Sequence, residues 1–130
     1  QEAAELEFYN TEAKKFFNLL DNSLGKRFKN LEKVFGKSES NDHGDHIEKR
    51  DELIKVLNIW QGLWRDMMLC QSEAGELISN MSFEETIKVQ SQKRDAPTMA
   101  RSIKEIEEAK KLLRQNIHPR LIFENLIINF

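Results

Sequence analysis

Apolar residues return every third or fourth position along most of this chain, and nowhere do they alternate with polar ones over a useful length. That period belongs to the α-helix, and with valine rare as well no strand is expected. Between residues 3 and about 24, Leu6, Tyr9, Ala13, Phe16, Leu20 and Leu24 fall at helical spacing with lysines and glutamates between them. Asp21, Asn22 and Ser23 are turn and capping residues. The pattern therefore predicts a break there and a second helix carrying Leu24, Phe28, Leu31 and Phe35, closed at Gly36.

Residues 37–46 contain no apolar side chain and are expected to form a mobile surface loop. The clearest helix comes next. Leu53, Leu57, Trp60, Trp64 and Met67 follow spacings of three and four, and Ile54, Val56, Leu63 and Met68 widen the stripe. A face this wide predicts a central position. Gly62 within it calls for either a close helix approach or room between the two indoles. After a connection over residues 71–81, Ser82 with Glu85 three residues on has the form of a capping box, so a short helix with Phe83, Ile87 and Val89 inward should follow. Residues 94–97 interrupt it at Pro97. From Thr98 a further helix places Met99, Ile103, Ile106, Leu112 and Leu113 inward and a Glu107–Lys111 pair outward.

That helix should close at Asn116, which tolerates the left-handed conformation, and Pro119 suits the first position of a last helix. A sharp corner is therefore expected between them. From Leu121 to Phe130 almost every side chain but Glu124, Asn125 and Asn129 is apolar, more than one groove of a bundle can cover. The remainder either forms the core or leaves a patch for a partner. The sum is an all-α fold, a single bundle of five to six helices.

A length of 130 residues suits one domain with one core. Charged residues make up 32% and apolar ones 39%, with no apolar stretch long enough for a membrane span. A lone Cys70 rules out an internal disulfide framework and favours a reducing, cytoplasmic setting. The net charge of −2 leaves no surplus of cations for phosphates, so direct nucleic-acid binding is not expected. A basic patch at Lys26, Arg27 and Lys29 reads as the solvated face of a helix.

Candidate chemistry is thin. Gly36, Lys37 and Ser38 imitate the end of a phosphate-binding loop, but Leu31 stands where the first glycine belongs. Asp42, His43, Asp45 and His46 crowd potential metal ligands into a flexible glycine-containing segment, which reads as a solvated loop. Cys70 lacks a histidine near it in sequence and reads as a small, at least half-buried thiol. Trp60 and Trp64 stand one turn apart and could stack on bases, but in an acidic domain they are expected to anchor the core. No catalytic residues, cofactor or metal are assigned.

Two blocks carry a resemblance. The run Asn116, Ile117, His118, Pro119, Arg120, Leu121, Ile122, Phe123, Glu124 and the run Trp60, Gln61, Gly62, Leu63, Trp64, Arg65, Asp66, Met67, Met68, Leu69 are similar, in order and spacing, to stretches of the C-terminal domain of the delta-prime subunit of bacterial DNA polymerase III clamp loaders. His118 departs from that pattern, where Asn is more usual and caps better. The resemblance covers about residues 53 to 130. It implies a non-catalytic, bacterial cytoplasmic oligomerisation domain, without its AAA+ modules, that joins a collar of delta and gamma/tau-type subunits and binds no nucleotide itself. It also lifts Arg65, Asp66, Arg120 and Glu124 from surface charges to residues that fix helix order or subunit register, beside Trp60, Trp64, Asn116, Pro119 and Phe123. A stand-alone adaptor whose groove receives a partner helix, and a helical nucleic-acid-binding module, are the alternatives.

Overall fold

The computed structural model describes residues 2–35, 43–72 and 83–130, with side chains over 3–32, 49–72 and 83–130. Six helices are described: α1 (Glu2–Asp21), α2 (Leu24–Phe35), α3 (His43–Gln71), α4 (Glu84–Ser91), α5 (Ala96–Arg114) and α6 (Pro119–Ile128). Strands are absent among the described residues. The break at Asn22 and Ser23 falls where their short polar side chains predicted it. Helix α3 starts sooner than expected: residues 43–46, assigned to the loop, are already helical. Gly36, Lys37, Ser38 and Asp42, and the side chains of His43, Asp45 and His46, lie outside the described residues.

The wide stripe of α3 is the hub. Leu53, Leu57, Trp60, Leu63, Trp64 and Met67 are all buried, and α1, α4 and α5 pack along this helix. Helix α6 packs along α5 on one side and α2 on the other. The packing order is thus α1–α3–α5–α6–α2, which leaves α1 and α2, neighbours in sequence, at its two ends. Aromatic rings fill the middle: Trp60 meets Phe123 edge-on at 5.4 Å and Phe130 at 5.5 Å, while Trp64 meets Phe16 at 5.7 Å and Phe130 at 5.3 Å. Each such pair adds about 0.5–1.5 kcal/mol beyond its area. Both indoles are therefore core residues, and neither offers a stacking surface for bases.

The amphipathic stripes err at their edges. Leu6, Leu24 and Val89 face solvent although their spacing placed them inward. Helix α5 begins at Ala96, two residues before Thr98, because Asp95 caps it through a 2.9 Å bond from the Thr98 N–H to Oδ1. Pro97 then sits in the first turn, where its missing N–H has no intrahelical partner to lose. Ser82 lies outside the described residues; the residue flanking α4 is Phe83, which makes no side-chain cap. Glu107 pairs with Lys110 at 2.8 Å, not primarily with Lys111. Lys110 is buried, and its ammonium also donates to Asn58 Oδ1 and Gln61 Oε1 at 2.9 and 2.8 Å, which accounts for all three hydrogens.

Candidate functional site

The corner forms as its residues require. Asn116 has φ 65°, the left-handed region that Asn and Gly enter most easily. Its N–H bonds Leu113 O and that of Ile117 bonds Leu112 O, both at 3.3 Å, the paired bonds of a Schellman closure. The Asn116 side chain accepts from Arg50 Nη2, tying the corner to α3. His118 precedes α6 without a side-chain cap, and Pro119 takes the first helical position.

Along α6, Ile122, Phe123, Leu126 and Ile127 are buried, while Leu121 and Ile128, seven residues apart and so on one face, stay 55% and 51% exposed. Arg120 and Glu124 pair with each other, Nε to Oε1 at 3.1 Å. Arg120 also reaches Glu32 of α2 at 3.6 Å. Arg65 is exposed, whereas its neighbour Asp66 is 1% exposed, so only one of the two is a surface charge.

Arg27 was missed. Lys26 and Lys29 are solvated as read, but Arg27 turns inward and its guanidinium collects backbone carbonyls. Nε donates to Leu19 O and Asn22 O at 2.9 and 3.1 Å, Nη2 to Leu20 O at 3.1 Å, and Nη1 to Ile127 O at 2.9 Å and Phe130 O at 3.4 Å. One cation thereby clasps the carbonyl ends of α1 and α6, where helix dipoles favour positive charge. Burial lowers its pKa from the ordinary arginine value, yet it stays protonated at any working pH. A second polar tie joins the end of α1 to the α4–α5 turn. Gln90 Nε2 donates to Asp21 Oδ1 at 2.7 Å and Lys93 pairs with the same oxygen at 3.4 Å, while Arg94 Nη1 donates to Gln90 Oε1 and its guanidinium lies 5.4 Å from the Trp64 ring. The Gln90 bond, aided by Lys93, holds the Asp21 carboxyl below its usual range.

Between the two ends of the packing order lies a cleft of about 700 Å³. Leu19, Leu53, Val56, Trp60, Phe123 and Ile127 form its floor, Leu31 of α2 covers one side, and polar groups including Lys15, Asn30 and Glu52 edge it. Such volumes fall within the range of about 300–1,000 Å³ typical of ligand sites. Among the described residues no three potential ligands gather to hold a metal, and no helix is long and apolar enough to cross a membrane. Cys70 is half-buried.

No protein family, no curated protein and no solved structure matches this chain.

Proposed function

We propose that this chain is an assembly module, a helical domain that works by packing against partner chains and not by bond chemistry. The observation that supports this most directly is the outer face of α6, where Leu121 and Ile128 remain open to solvent on a helix whose other side is fully used by the core. The corner at Asn116, tied to α3 through Arg50, and the packing of α6 along α5 and α2 orient that face. On the resemblance of its two sequence blocks to the delta-prime collar, the proposed partners are delta and gamma/tau-type clamp-loader subunits, in a ring that loads the sliding clamp during DNA replication. An interface of that kind buries about 1,600 Å² in total.

Co-purification with those subunits tests the reading. Leu121→Asp with Ile128→Asp changes two exposed positions, so the fold should survive while assembly is lost. Full assembly by the folded double variant overturns it.

A second reading, an adaptor whose groove takes a partner helix, is favoured by the cleft with its apolar floor. Binding that survives the α6 substitutions and disappears when Val56→Trp fills the cleft would select it.

A further inference from the structure

Helix α2 runs antiparallel to α6, in a register that three contacts fix. Arg27 in its first turn reaches Ile127 O and Phe130 O at the end of α6, while Glu32, farther along, reaches Arg120 at the start. The outer sides of the two helices therefore adjoin. On α6 stand Leu121 and Ile128, about half exposed and about 10 Å apart along the axis, with exposed Asn125 between them. On α2, Lys29 precedes Glu32 by three residues and Lys26 precedes Lys29 by three, so the lysines continue from the edge that Glu32 marks onto the outer face. Both are exposed. The register sets Lys29 near the level of Glu124 and Lys26 near that of Ile128.

Both glutamates of this surface, Glu32 and Glu124, are engaged by Arg120, whereas Lys26 and Lys29 have no ion pair among the described residues. Lys26 also stands in the first turn of α2, which holds no acidic residue. A helix start favours negative charge, so a lysine there works against its own helix, and no ion pair among the described residues offsets it. A carboxylate brought by another chain would. We propose that this surface of α6 and α2 docks an amphipathic helix of a partner chain, one with aliphatic residues about two turns apart and carboxylates along the flank that meets Lys26 and Lys29. The inference rests on the assembly reading for the α6 face and adds to it the charge of the partner. Aliphatic side chains beside the cations suit a helix face, whereas phosphates would leave Leu121 and Ile128 in water. The lysines would orient and select the partner, and the aliphatic contacts would supply most of the affinity.

The probe is a hydrocarbon-stapled peptide of about 18 leucine, alanine and glutamate residues, long enough to hold several helical turns, with leucines on one stripe and glutamates on both flanks, beside a copy with lysine for every glutamate. Titrated into the isotope-labelled domain, the acidic peptide should shift the NMR amide signals of exposed α6 residues and of Lys26 and Lys29. It should bind tighter than the basic copy at low salt and lose that preference near about 1 M salt. Lys26→Glu with Lys29→Glu should weaken it about three- to tenfold, while Lys26→Arg with Lys29→Arg keeps it. Glutamate suits a helix start, so the fold should persist, as an unchanged melting temperature would verify. Equal binding of the two peptides, shifts confined to other faces, no binding, or binding of phosphatidylserine vesicles or single-stranded DNA in place of the acidic peptide overturns the proposal. If the acidic peptide seats as described while the clamp-loader subunits fail to co-purify, those partners fall and the charge inference stands. If the subunits co-purify and the glutamate substitutions leave both assembly and peptide binding unchanged, the charge inference falls and the assembly reading stands.

Discussion

Gly62 stands on α3, the helix at the hub of the bundle, yet a β-carbon added there would meet nothing within 4 Å. The two explanations open from sequence were close helix approach and spare room, and the space around the residue removes the first. Glycine in a helix interior costs backbone entropy that no contact here returns. Gly62→Ala should therefore raise stability by about 1 kcal/mol, or the melting temperature by about 3–6 °C, and a calorimetric scan with an unchanged or lower midpoint contradicts this. Residues whose role follows from periodicity were legible: Trp60 and Trp64 sit in the core because their spacing places them on the stripe of α3. Arg27 and Lys110 were not. A charged residue declares its side of a helix, but whether its head bends back into the protein depends on acceptors far along the chain, such as Ile127 O for Arg27 and Asn58 for Lys110.

At the scale of elements, chain breaks made by local chemistry could be read directly. The turn at Asn22 and Ser23 and the corner at Asn116 depend on the residues that form them, and both stand where expected. Helix starts were read less well. Asp95, with Ala96, Pro97 and Thr98 behind it, is an N-cap followed by proline in the first turn, a signal present in the sequence; the proline was read only as an interruption. The candidate site divides the same way. Exposed apolar residues on α6 followed from an excess of hydrophobicity, while the cleft depends on which helices pack together and had no sequence signature. The corner itself yields a test. Alanine and glycine at Asn116 both lose the bond from Arg50, but only alanine resists the left-handed conformation, so Asn116→Ala should be less stable than Asn116→Gly by about 1 kcal/mol in urea titrations. Equal midpoints would show that this turn does not require the observed φ.

At the scale of the molecule, three carboxyl groups among the described residues link stability to acid. Asp21 is held below the ordinary 3.8 by Gln90 and Lys93, Asp95 by its cap bonds to Thr98, and Glu107 below 4.5 by Lys110 and Gln61. A carboxyl with a depressed folded pKa contributes stability that is complete above its unfolded value and is lost as the pH falls through the folded one. These groups should leave the melting temperature flat from neutrality down to the ordinary carboxylate range and lower it in more acid solution. A combined Asp21→Asn, Asp95→Asn, Glu107→Gln variant should show a shallower acid decline; an equally steep one would assign acid sensitivity to other groups. The packing order also has a consequence for how the protein is made. Helix α2 leaves the ribosome before α6, the helix along which it lies, and three described helices come between them. During translation that contact must wait until α6 has been synthesised.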